Sequence, residues 1–269
     1  MVSIVYMVAG MSSRFNGKIK QFAKVGPTDE TLIEFSMNQA INAGFDKIIF
    51  IVGEKTSTPF KEKFGNSYKN IKIEYTTQAF DKTLRDRPWG TCDALVSAKN
   101  IITEDFVVCN GDDIYGEKTM KSIIAFSKEN KTDHATIGYN LLSVLPDTGK
   151  VNRGIFSIDK ENNLIKIDET LNISKSNLKE KNLNKENVSS QNIFFIKKKT
   201  LNLLEEKLIT FKKNHVNDRK AECYLPTELS NLINEGQIKI KLIPTSDKWF
   251  GVTNPEDEEI IRQQLKSLN

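Results

Sequence analysis

Four short runs of β-branched and aromatic residues set the limits on this fold: SIVYMVA (3–9), DKIIFIVG (46–53), NIKIEYTT (70–77) and DFVVCNG (105–111). They are bounded by Gly, Asn or Asp, and several are apolar on both faces, which predicts strands buried inside a sheet. The segments between them carry apolar residues at helical spacing over 31–45, 91–102 and 118–130, the first ending near Gly44. Strands that alternate with helices are joined by right-handed crossovers, so the expected class is α/β, a mostly parallel mixed sheet flanked by helices. In such sheets ligands bind beyond the carboxyl ends of the strands.

The second half changes character. RGIFSID and NLIKIDE (153–169) read as a hairpin turning around 159–163, and NIFFIKK (192–198) reads as a further strand. Helices are expected over 200–214 and 226–236, then a strand over 238–244 and a last helix within 255–268. The Asn- and Lys-rich piece 171–190 has few large apolar residues and reads as a flexible, solvated loop or lid. With 269 residues the chain can bury one substantial core, so a single domain over 1–269 is expected, divided into a first part (1–130) and a second part (131–269).

Composition excludes several classes. The 39 Lys and Arg against 35 Asp and Glu leave a formal charge of +4, spread along the chain, which does not point to nucleic acid. Cys92, Cys109 and Cys223 are odd in number and form no C-x-x-C pair, so they read as reduced thiols in a cytoplasmic protein. No apolar run is long enough to span a bilayer, and the first lacks the basic flank of a secretion signal. Nothing in the sequence fixes an oligomeric state.

The stretch VYMVAGMSSRFNGKIKQF (5–22) combines a strand with an unusual turn. A strand ending at Ala9-Gly10 and turning through Met11, Ser12 and Ser13 presents consecutive backbone N–H groups, which is a phosphate cradle in physical terms. Arg14 and Lys20 add positive charge beside it. Neither the P-loop spacing nor G-x-G-x-x-G is present. The plain alternative is a pair of solvated loop charges.

VAGMSSRF with KIKQF resembles the first loop of the sugar-phosphate nucleotidyltransferases, with Ser12 where glycine is common. RPWGTCDALVSAK (87–99), CNGDDIYG (109–116), YLPTELSNLINEG and DKWFGVTNPEDEE resemble further blocks of that family, in the expected order and from residue 3 to about 262. Cys92-Asp93 departs from the Gly-His that relatives often carry after Gly-Thr. Within that family the chain is similar to the uridylyltransferases that make UDP-N-acetylglucosamine or UDP-glucose.

The resemblance implies a Rossmann-like nucleotidyltransferase fold with a smaller β-rich insertion on the acceptor side. It also implies Mg²⁺, a nucleoside triphosphate and a sugar 1-phosphate. UMP would pass from UTP to an acceptor such as N-acetylglucosamine 1-phosphate, releasing pyrophosphate. A cytidylyl or thymidylyl transfer to another phosphorylated acceptor, or a nucleotide-binding regulator without turnover, stays open. Arg14, Lys20 and Asp112 would be catalytic. Ala9 to Ser13, Gln78, Gly90 and Thr91 would hold the nucleotide, and Gly149, Glu169, Gln191 and Asn192 the acceptor. Asp112, Thr253 and Asp257 would be the metal ligands.

Plainer readings stand beside these. Asp112 and Asp113 also suit a turn, and Asp257 also suits the first turn of a helix. Glu169 also reads as an exposed strand-end charge. Trp89 and Trp249 read as packing residues, His134 and His215 as surface residues, and Lys197-Lys198-Lys199 as a solvated helix entry.

Overall fold

A computed structural model describes residues 2–10, 15, 18–129, 133–252, 255 and 257–267. At its centre lies β1 (Ser3–Met7), parallel to β2 (Lys47–Val52) on one side and to β5 (Phe106–Asn110) on the other. Beyond β2 the sheet continues through β4 (Ile71–Thr77) to a short antiparallel edge, β3 (Ser67–Tyr68). All six residues of β2 are buried, because helices cover both faces of the sheet.

Two helices differ in how legibly they are written. α1 (Leu32–Ala43) starts at a capping box, with Thr31 N and Oγ1 both donating to Glu34, and ends at Gly44 in the left-handed conformation (φ 104°). α2 (Glu54–Phe64) has no counterpart in the sequence reading, since Pro59 lies inside it. Proline removes a helical hydrogen bond, and the helix persists because Phe60 and Phe64 pack with Phe22 and Phe50. α3 (Thr91–Ser97) is shorter than 91–102, and α4 (Glu117–Glu129) matches its expected place.

On the other side of β5 the sheet turns antiparallel. β10 (Val188–Ile196) pairs with β5, then β7 (His134–Asn140) pairs with β10, and β11 (Ile240–Pro244) runs parallel to β7. The amino-terminal half of β10 also pairs with β8 (Val151–Ile158), which forms the expected hairpin with β9 (Leu164–Ile173). Outside this sheet, β6 (Asp113–Ile114) pairs with β12 (Phe250–Gly251). Helices α5 (Thr200–Asn214), α6 (Leu225–Asn234) and α7 (Asp257–Lys266) complete the chain. Among the described residues no helix is long and apolar enough to cross a membrane.

Three sequence expectations need correction. The ends of 171–190 belong to β9 and β10, and the rest is tied down: Leu178 and Leu183 pack on the core and Asn140 Nδ2 donates to the Lys185 carbonyl at 2.8 Å. Lys197 is buried and pairs with Asp105 at 3.2 Å, so it is not a solvated helix entry. His134 is buried at the start of β7, a strand absent from the sequence reading. Its Nδ1 lies 3.1 Å from the Lys239 carbonyl and must donate to it, so Nε2 accepts from Thr200 Oγ1 at 2.7 Å.

Burial pulls the His134 pKa down to about 4. An exposed histidine titrates near about 6.5, so the unfolded chain takes up this proton first as pH falls. The contribution of the neutral side chain to stability is therefore intact above about pH 6.5 and is lost as pH drops toward 4. Replacing His134→Asn is expected to flatten the melting-temperature profile across that window, whatever its effect at neutral pH. An equally steep profile would contradict this.

Candidate active site

The carboxyl ends of β1 and β5 run together, with Gly111 N donating to the Met7 carbonyl at 3.1 Å. Immediately beyond β5 come Asp112 and Asp113. Lys20 stands on a short 3₁₀ turn (Lys20–Phe22), and its ammonium donates directly to the Asp112 carboxylate. Asp113 is buried behind this pair, accepting from Asn110 Nδ2 at 2.9 Å, with the Tyr115 hydroxyl oxygen 3.3 Å away. Burial first, and the neighbouring Asp112 charge second, push its pKa up to about 7.

Lys20 and Asp112 face a polar cavity of about 400 Å³ whose far wall is built by three strands. Gly154 on β8 lies between Glu169 on β9 and Ser190 on β10, and having no Cβ it keeps the floor open: a Cβ there would meet Ile167 at 3.0 Å and Ser190 at 3.3 Å. Burial raises the Glu169 pKa, with Arg153 opposing the shift. Gln191 and Asn192 enter the cavity from a bulge within β10, where the register to β7 shifts between Ser190 and Phe194 and Asn192 has φ 55°. The Tyr115 hydroxyl braces this bulge by donating to the Gln191 carbonyl at 3.0 Å.

A second, mostly apolar cavity of about 380 Å³ adjoins the first, since Ala9 lines one and Gly10 the other. Gly53, Phe80 and Pro88 form its walls, and Gln78 lies beside them just past β4. Gly90 and Thr91 open α3 nearby, where Thr91 Oγ1 accepts from Leu225 N at 2.9 Å. Gly90 has φ 95°, and a Cβ there would sit 2.5 Å from the Cys223 carbonyl oxygen.

Of the residues singled out by sequence, the structure therefore brings Gly10, Lys20, Asp112, Glu169, Gln191 and Asn192 around one cavity and Ala9 and Gln78 around the other. Gly149 is not brought in: it is exposed, in a turn with φ 89°, and Gly154 occupies the cavity instead. Asp257 sits in the first turn of α7 with Glu258 and Glu259 and does not line the cavity. Met11, Ser12, Ser13, Arg14 and Thr253 lie outside the described residues. Among the described residues no three His, Cys, Asp or Glu side chains cluster as a ready-made metal site.

Sequence reasoning missed Arg153 and left Trp249 as a packing residue. Trp249 packs against Arg153, whose guanidinium carbon is 5.0 Å from the ring, and it also borders the polar cavity. The overlooked signal is VNRGIF, a strand with an interior glycine after an arginine. Trp89 is a packing residue, with the Arg85 guanidinium stacked on it at 3.2 Å.

A lysine and a carboxylate meet in the polar cavity beyond the carboxyl ends of β1 and β5, where open α/β sheets bind their ligands. The chain belongs to the nucleotidyl transferase family, whose model matches residues 15–217. It is 28% identical over 215 residues to the bifunctional protein GlmU of Methanococcus maripaludis, covering 79% of this chain and 41% of that protein. The chain thus spans less than half the length of that relative. Among solved structures it is similar to a Bacillus anthracis protein assigned as a glucose-1-phosphate thymidylyltransferase, with TM-score 0.74, 14% identity, and 100% and 96% of the two chains covered. The inositol-1-phosphate CTP transferase of T. maritima follows with TM-score 0.70, 15% identity, and 99% and 96% covered. At such identities the likeness is one of fold.

The close approach at Gly90 makes a prediction about stability. Gly90→Ala forces both a disfavoured φ and a clash with backbone, so it is expected to lower the melting temperature by roughly 5–10 °C, equivalent to about 2–3 kcal/mol. Thermal unfolding followed by circular dichroism checks this. An unchanged midpoint would contradict the packing of 90 against 223.

Proposed function

We propose that this protein transfers a nucleoside monophosphate, UMP from UTP in the favoured case, to a sugar 1-phosphate such as N-acetylglucosamine 1-phosphate, and releases pyrophosphate. The observation that carries the reading is the contact between Lys20 and Asp112 in the polar cavity, which the apolar cavity neighbours through Ala9 and Gly10. The apolar cavity suits a flat base, and the polar one suits a hydroxylated acceptor. An acceptor phosphate oxygen would attack the α-phosphorus while the bond to the β-phosphate oxygen breaks. That phosphate is already a nucleophile and needs no general base, so the residues serve to position it and to neutralise charge.

Lys20 would stabilise negative charge on the transferring group and the departing pyrophosphate. Glu169 can accept from two sugar hydroxyls, and the amides of Gln191 and Asn192 can donate to others. The residues present fit a magnesium ion: Asp112 offers a hard carboxylate oxygen at the cavity, with Asp113 buried behind it. Asp112 would hold the ion. Once bound, it would supply charge neutralisation to the phosphates.

Asp112→Asn and Lys20→Ala are each expected to lower kcat by a factor on the order of 10²–10³ while the melting temperature moves little. EDTA is expected to silence the wild type, and magnesium to restore it. Continuous pyrophosphate release measures all three. Turnover retained in both variants would remove the proposed chemistry from this cavity.

A further inference from the structure

The side-chain amide of Gln78 is held by two groups that can only accept. Its Nε2 donates to the Gly90 carbonyl at 2.9 Å and to Asp93 Oδ2 at 2.8 Å. Both amide hydrogens are thereby used. A carbonyl and a carboxylate offer no hydrogen, so the NH₂ end must face them and the oxygen must face the other way. Asp93 is itself buried on α3, and its second oxygen accepts from Lys212 Nζ of α5 at 2.5 Å, so its charge is met from outside the pocket. No described residue donates to Gln78 Oε1, and Gln78 borders the apolar cavity.

Resting on the reading of that cavity as the base pocket, we infer that Asp93, charged against Lys212, is a positioning residue that turns the Gln78 amide so that the pocket presents an acceptor oxygen. Set against ring position 3 of a pyrimidine, that oxygen selects a base with an imide N–H, uracil or thymine. Cytosine has a bare ring nitrogen in that place, so two lone pairs would meet in an apolar setting and neither would be satisfied. An unmade hydrogen bond to a desolvated group weakens binding by roughly 10- to 100-fold. The discrimination is set by Asp93 rather than by Gln78 alone, because a free amide can rotate to offer either end.

The test is equilibrium binding of UTP, CTP and N3-methyl-UTP to the full chain with magnesium, alongside pyrophosphate release with the same nucleotides. The wild type is expected to bind UTP at least tenfold more tightly than CTP or N3-methyl-UTP. In Asp93→Asn the neighbouring amide can itself turn over, releasing Gln78, and the UTP to CTP ratio is expected to fall toward one. A merely structural loss at Asp93 would weaken both nucleotides and leave the ratio as it was, which would overturn the inference. Wild-type protein that turns over CTP as readily as UTP would overturn it too, even if Asp93→Asn did not fold, and would leave nucleotidyl transfer standing. Failure to bind or turn over any triphosphate would instead bring down the underlying reading, and this inference with it.

Discussion

Strand β10 holds the two halves of the site at a fixed distance. Its carboxyl-terminal half is laddered to β5, with Phe194, Phe195 and Ile196 opposite Val108, Val107 and Phe106. Its amino-terminal half is laddered to β8, with Val188, Ser189 and Ser190 opposite Phe156, Ile155 and Gly154. Between the two halves β10 bulges, and its register to β7 on the other edge shifts between Ser190 and Phe194. Asn192 tolerates the left-handed conformation this requires better than most residues do. Because backbone ladders set these positions, the polar groups of the bulge and the acids beyond β5 are placed by rigid elements.

The charges follow the same framework. Lys20 contacts Asp112, Asp113 lies buried behind, and Arg153 stands between Asp113 and Glu169 while resting on Trp249. Burial pulls the Arg153 pKa below its ordinary value, with Asp113 and Glu169 opposing the shift. On the proposed reaction, two anionic substrates meet where positive side chains and paired acids alternate. The β6–β12 ribbon closes this arrangement: a Cβ on Gly251 would strike the Trp249 ring at 2.4 Å and approach Asp113 at 2.9 Å, so the chain can fold back onto the acids only through a glycine there.

Much of the fold was legible because buried parallel strands carry continuous Val, Ile and Phe, and because α1 announces itself by Thr31, Glu34 and Gly44. β7 was not legible: HATIGYN contains His134, Thr136 and Gly138, each acceptable inside only because of a partner or a close neighbour the sequence does not show. Thr136, for example, donates to the Ile193 carbonyl at 2.9 Å. α2 was hidden by Pro59, although Thr56, Phe60 and Phe64 form a stripe on one face. In the site, Lys20 drew attention as a charge beside the first loop and Asp112 through the resemblance of CNGDDIYG to a family block, and the structure brings the two together. Gly154 was not, because a glycine in a polar turn, Gly149, resembles a binding loop more than a glycine inside a strand does.

The central claim is that the α-phosphorus of a nucleoside triphosphate is transferred in the cavity that Lys20 and Asp112 share. Incubating the protein with a sugar 1-phosphate and UTP radiolabelled at either the α- or the γ-phosphorus tests this directly. The account predicts that α label appears in a nucleotide-sugar product and γ label in pyrophosphate, with both signals lost in Asp112→Asn. Label passing from the γ position to the acceptor, or α label remaining wholly in UTP across a panel of sugar 1-phosphates, would contradict it.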